Sequence, residues 1–186
     1  MARVTGRKTY FEDHGPWVIR GASLVKRLQK GVKRWNEFRR RNKRHRPILT
    51  VRMARGGDLA GYNFSDGVFV GGEFDTVSFE SANLRNIDAK RTVFEHCNFK
   101  QADLTRANSF NAQFTYCDFS GARLQDAFLV RTLFRHCKMD GADLRSAEFG
   151  ETDFINVSLS RARGLGTAKH ATPSNIDLAT LGKACR

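Results

Sequence analysis

The chain has no apolar run approaching the roughly 18 residues that cross a bilayer, and its first 21 residues, "MARVTGRKTYFEDHGPWVIRG", contain no continuous apolar stretch. A membrane span and a secretory leader are therefore not expected. Glu12 and Asp13 also sit poorly with an organelle transit peptide. Cysteine is sparse, with four in 186 residues (Cys97, Cys117, Cys137 and Cys185). A chain of this length needs no disulfide staples, so a reducing, cytoplasmic setting is expected. The sequence contains no G-x-x-x-x-G-K-[ST], no H-E-x-x-H and no nucleophile elbow. No catalytic residue, metal site or cofactor is assigned, and the protein is expected not to be an enzyme. Acidic residues are nearly missing from the first third: residues 1–56 hold 3 Asp+Glu against 17 Lys+Arg, a balance of +14, whereas residues 57–186 hold 16 against 15, a balance of −1. The excess charge of +13 thus belongs to one part of the chain.

What is present is a repeat. From Gly57 the sequence runs in fives (GDLAG, YNFSD, GVFVG, GEFDT) through 21 consecutive pentapeptides to Arg161. The middle position is Leu, Phe or Met in 19 of the 21, with Ala89 and Ser109 departing. Two residues earlier stands Gly, Ala, Cys, Thr or Val in 19 of 21, with Tyr62 and Ile87 departing. A period of five is neither 3.6 nor 2, so neither a helix nor a flat strand explains it. A turn every five residues makes one side of a square coil, with the large residue and the small one two before it pointing inward. Four sides make twenty residues, and the columns at i+20 agree. Positions 74, 94, 114, 134 and 154 are all Phe, and positions 97, 117 and 137 are all Cys. Rungs stacked about 4.8 Å apart give about five coils in a rod roughly 25 Å long.

ANLRN (82–86), ADLTR (102–106), CDFSG (117–121) and ADLRS (142–146) carry the A-(D/N)-L/F-x-x signature, and the chain resembles the pentapeptide-repeat family. The resemblance implies an all-β solenoid, a right-handed quadrilateral β-helix. It also implies a non-enzymatic role: better-understood members bind other proteins, and some look like duplex DNA to type II topoisomerases. The expected organisation is a basic N-terminal extension (1–56), a β-helix (57–166) and a short C-terminal cap or tail (167–186).

The repeat also accounts for the recurring His-Cys pairs at 96–97 and 136–137. Cys falls at the inward small position and His at the outward corner, so neighbours diverge and cannot share a metal. His96 and His136 are two rungs, about 10 Å, apart. The Cys column is read as small buried hydrophobes, with no disulfide between parallel stacked rungs.

Residues 22–45 read as an amphipathic helix, with Leu24, Leu28, Val32 and Trp35 at helical spacing, Ser23 as N-cap and Pro47 as the stop. Its other face and the following run carry Lys26, Arg27, Lys30, Lys33, Arg34, Arg39, Arg40, Arg41, Lys43 and Arg44, a candidate polyanion-binding set. Three readings stay open: the stripe caps the open end of the coil while the charges are merely solvated, the charges grip nucleic-acid phosphates, or the helix lies on an anionic membrane with Trp35 and Phe38 inserted. The tail, with Pro173 and Ser174 opening a short helix through "NIDLATL", is expected to cover the other end.

Four residues break the outward-polar rule on neighbouring rungs: Phe110, Phe128, Val130 and Leu133. Such a cluster marks a candidate protein-docking surface. Alternatively the helix or tail folds back over it, or a register shift tucks Phe110 inside in place of Ser109. The functional expectation is an adaptor that docks a protein on the β-helix and a polyanion on the arm. The alternative is a DNA-mimic modulator or protector of a type II topoisomerase such as gyrase.

Overall fold

The computed structural model describes residues 27–49, 54–159 and 161–180. Helix α1 (Val32–Arg41) is followed by short strands β1 (Ala54–Asp58), β2 (Glu73–Ser78), β3 (Val93–Glu95), β4 (Gln113–Thr115), β5 (Leu133–Arg135), β6 (Glu148–Phe149), β7 (Asp153–Ile155), β8 (Lys169–His170) and β9 (Asn175–Ile176). One side of the coil is the parallel sheet β1-β2-β3-β4-β5-β7-β9. Its register advances by twenty per rung, with Phe74 facing Phe94, then Phe114, Phe134 and Phe154. The other three sides are ladders of single bridges at the same spacing, such as Asn63, Asn83, Asp103, Arg123, Asp143 and Arg163. The quadrilateral β-solenoid read from the period is the observed fold.

The coil starts earlier than the readable pentapeptides. Ile48 already bridges Val68, and Ala54 pairs with Phe74, which makes about six turns rather than five. Leu49 and Ala54 are fully buried at the central inward positions. This first turn escapes a pattern search because its residue at 54 is small.

Inside, large side chains stack on their own kind. Phe74, Phe94, Phe114, Phe134 and Phe154 form one column with ring centroids 5.0–5.4 Å apart. Phe79, Phe99 and Phe119 form a second at 4.8–5.1 Å. Edge contacts join the two columns, such as Phe94–Phe99 at 81°, an arrangement that the ring quadrupole favours. Thr and Cys share the small inward slot and do the same job there. Thr92 Oγ1 donates to the Phe69 carbonyl 23 residues earlier, and Cys97, Cys117 and Cys137 Sγ donate to Phe74, Phe94 and Phe114 at the same offset. Burial pushes the Cys117 thiol well up, away from the reactive thiolate.

The corners have a backbone cost. Every non-glycine residue with positive φ, His96, Tyr116 and His136 among them, falls on the outward position two after the middle residue. A left-handed L-residue costs roughly 1–2 kcal/mol. The rung above offsets this, because the corner N–H finds a carbonyl there; His96 donates to Thr115 at 2.9 Å. At Gly164 (φ +85°) a Cβ would lie 2.4 Å from the Arg145 nitrogen, so only glycine fits where the chain leaves the repeat.

Both ends are covered. The expected single helix is broken at Gly31 (φ +84°), which is also the N-terminal cap of α1, and α1 stops at Arg41. Ser23 lies outside the described residues. Leu28 and Trp35 are buried against Tyr62 and Phe64 of the first turn. The Asn36 side chain stands in for a missing rung, donating to Gly61 O and accepting from Asn63 N, each at 2.8 Å. At the far end the tail keeps coiling, but with slipped register: β8 sits 21 residues beyond β6, and β9 sits 22 beyond β7. The short helix expected from Pro173 and Ser174 through "NIDLATL" gives way at its start to strand β9, which the open edge at Asp153 and Phe154 captures. Residues 178–180 are helical.

Candidate binding surfaces

The basic cap is built by what the rod takes from α1. Leu28, Trp35 and Arg39 face inward and Val32 is half-buried. Trp35 Nε1 donates to Asn63 O at 2.7 Å. Arg39 is a correction to the sequence-derived set. It is 3% exposed, and its guanidinium donates to the carbonyls of His45 and of Ser65, the latter at 2.6 Å. Burial lowers its pKa, partly offset by Asp66. At i+4 from Trp35 it belongs to the buried stripe and neutralises carbonyls at the rod's open end.

The remaining set stays outside. Arg27, Lys30, Lys33, Arg34, Arg40, Arg41, Lys43 and Arg44 are exposed, while Lys26 lies outside the described residues. Among the described residues, the only ion pair on this cap is Arg41–Glu37 at 2.6 Å. Two grooves flank α1. One, of about 530 Å³, is lined by Arg27, Lys30, Arg34 and Arg41 around Phe38. The other, of about 640 Å³, runs between Lys33 and Arg40 and the Asn63–Asn83 side of the rod. The aromatics that a membrane helix would insert are occupied. Trp35 is buried, and the Phe38 ring lies under Arg27 at 4.2 Å and against His45 at 5.2 Å. Burial first, then Arg39 and Arg27, lower the His45 pKa, so the imidazole adds no charge.

The apolar cluster sits mid-rod. Phe110, Phe128, Val130 and Leu133 are each half-buried, and the rings of Phe110 and Phe128 lie 6.2 Å apart. Arg131 reaches within 6.0 Å of the Phe110 ring while pairing with Glu151 at 3.0 Å. No register shift occurs: Ser109 keeps the inward position, 1% exposed, with its Oγ unpartnered. Helix α1 lies on the first turn and the described tail on the last, so neither reaches this cluster.

Elsewhere four ion pairs of the rod, Arg55–Asp75, Arg123–Asp103, Arg106–Asp126 and Arg131–Glu151, link residues twenty apart on neighbouring rungs. Cys97 is inward and 2% exposed, whereas His96 is exposed and stacks on Tyr116 at 5.1 Å. The adjacent His and Cys do diverge.

A family profile described as pentapeptide repeats matches eight copies, over residues 73–108 and 112–150. The repeats over these residues are pentapeptide repeats. Among solved structures, a pentapeptide repeat protein of the Arabidopsis thaliana thylakoid lumen is 29% identical, with a TM-score of 0.45 over 46% of this chain and 59% of that one. The chain thus spans less than two thirds of that protein. A trypsin-treated variant of QnrB1, a plasmid-mediated fluoroquinolone resistance protein, is 23% identical, with a TM-score of 0.47 over 67% of this chain and 72% of that one. HetL, involved in heterocyst differentiation regulation in the cyanobacterium Nostoc sp. strain PCC 7120, is 19% identical, with a TM-score of 0.27 over 67% and 68%. No curated protein sequence matches the chain.

Proposed function

We propose that this pentapeptide-repeat protein is a non-enzymatic adaptor whose basic cap holds nucleic-acid phosphates while the Phe110–Phe128 cluster docks a protein. The carrying observation is the division of labour on α1. The rod occupies its apolar stripe, and the opposite face offers a set of exposed cations with Glu37 as the one paired acid. A lipid surface is disfavoured because Trp35 and Phe38 are both engaged within the protein. Phosphate contacts need only unpaired cations on a rigid support, and the side chains of Trp35, Asn36 and Arg39 supply the rigidity.

The test is duplex DNA and RNA binding measured against salt. Affinity falls steeply with salt, the slope of log K against log salt being about −0.7 to −0.9 per phosphate contact. Replacing Arg40, Arg41, Lys43 and Arg44 with Gln, and leaving Arg39 intact, reduces that slope by about 3 and leaves the melting temperature unchanged. Salt-insensitive binding, or an unchanged slope in the variant, overturns the reading. Preference for anionic vesicles over nucleic acid replaces it with the membrane one.

A further inference from the structure

Among the described residues, Asp75, Glu95 and His96 bring three donor atoms within 4.8 Å of one another on the outside of the rod. The coil assembles them. Asp75 and Glu95 are register partners on neighbouring rungs β2 and β3, and His96 is the left-handed corner that follows Glu95. Two like charges stacked on adjacent rungs repel; Arg55 pairs with Asp75 from one side, and Glu95 makes no ion pair among the described residues.

Two further observations separate this cluster from an ordinary acidic surface. First, His96 Nδ1 lies 3.4 Å from Asp75 Oδ1. That is long for a hydrogen bond, which prefers about 2.9 Å. It matches the edge of a tetrahedron built on metal bonds of about 2.1 Å, which is about 3.4 Å. Second, both ligands are held from behind. Arg55 Nε fixes Asp75 Oδ2 at 2.9 Å, leaving Oδ1 directed at the imidazole. The His96 ring lies flat on Tyr116, at 1° and 5.1 Å, and Tyr116 lies on His136 at 4.7 Å. Outer partners of this kind set ligand orientation in metal sites. Glu95 is exposed and free to swing the remaining distance.

We propose that Asp75, Glu95 and His96 form a site for a divalent transition-metal ion of the zinc class, with water completing the shell. One nitrogen and two carboxylate oxygens suit that class, whereas calcium and magnesium take oxygen ligands. The ion neutralises the stacked carboxylates and clips β2 to β3. Cys97 takes no part, being inside.

The experiment is a zinc titration of the full chain by calorimetry at pH 7.5, with melting temperatures measured with zinc, with magnesium and with neither. One zinc binds, and saturation raises the melting temperature by mass action, while magnesium leaves it unchanged. His96→Ala and Glu95→Gln each weaken zinc binding at least about tenfold. Their zinc-free melting temperatures stay within a few degrees of the wild-type value because both side chains are exposed. His170→Ala, a histidine outside the cluster, binds as the wild type does. Absence of a zinc-dependent heat and melting shift, or equal zinc binding in His96→Ala and Glu95→Gln, overturns the proposal.

Discussion

Asp143 shows how a polar residue earns its place on a rung. Its side chain is 4% exposed, held by Arg145 Nη2 at 2.6 Å and Nε at 2.9 Å and by Gln125 Nε2 at 3.1 Å. The hydrogen bonds from Arg145 hold its pKa below the ordinary carboxylate value. A carboxylate depressed in the folded state contributes stability above its unfolded pKa of about 3.9, and that stability is lost as pH falls through the folded value. Asp103 and Asp118 are lowered in the same direction: burial raises them, and the hydrogen bonds from Thr105 and Ser120 together with the charges of Arg85 and Lys100 outweigh it. Melting curves below pH 5 should therefore show an acid limb, and Asp143→Asn should shallow it while costing stability at pH 7. An unchanged limb would show that the pair is only decorative. A contrast between two kinds of phenylalanine belongs to the same scale. Phe114 is 1% exposed in the stacked column, and Phe114→Ala is expected to cost about 3–5 kcal/mol in chemical denaturation. Phe110→Ser with Phe128→Ser removes half-buried rings, and should abolish capture of a protein partner with little change in melting temperature. A fall of several degrees would make the cluster internal packing instead. The inward slot of Cys97 was legible in the period. Its carbonyl partner 23 residues earlier was not, because that contact crosses a rung.

At the scale of the element, α1 repairs an edge. The first turn of the coil presents backbone groups with no rung beneath them, a template for unwanted pairing. Asn36 and Arg39 satisfy Gly61 O, Asn63 N and Ser65 O, and Trp35 seals the hydrophobic end. Asn36→Ala leaves two of those groups without partners and is expected to cost about 1–3 kcal/mol. Trp35→Ala is expected to cost about 3–5 kcal/mol and to expose the edge. Both are read from thermal or urea unfolding, with light scattering for edge-to-edge association. A variant that keeps its stability and stays monodisperse would show that α1 is dispensable as a cap. The stripe of Leu28, Val32 and Trp35 was readable from spacing alone, and Arg39 follows at the next helical step. Its charge led it to be placed with the solvent-facing set. A cation at the next position of an apolar stripe is the signal that was available, and it marks a residue aimed at carbonyls rather than at water. The start of the tail helix shows the same limit. Asn175 and Ile176 tolerate a helix, but pairing along the last rung makes them strand, and helix follows at 178–180.

Over the whole molecule, the charge pattern separates the two functional readings. A DNA mimic needs a continuous negative face, but Asp75, Asp103, Asp118, Asp126 and Glu151 are each paired with an arginine or lysine of the rod. Such pairs add little stability singly, yet they cancel the field along the rod and leave the basic cap as the dominant charge. The protein is therefore expected to leave gyrase supercoiling unchanged at micromolar concentration. Inhibition or protection at that level would restore the topoisomerase reading. The sequence by itself determined the five-residue period, the inward columns of Phe and Cys, the outward corners' positions and the confinement of excess charge to the first third. These are legible because each rung repeats the same local rule, so spacing along the chain becomes position in space. Tertiary structure alone decided what has no repeat: that the coil begins at Ile48, that Arg39 turns inward and that Asn36 replaces a rung. It also decided that Asp75 leans across one rung to meet His96. Each of these depends on contacts between segments whose separation along the chain carries no period, and on open backbone groups at the rod's ends that take whichever partner reaches them.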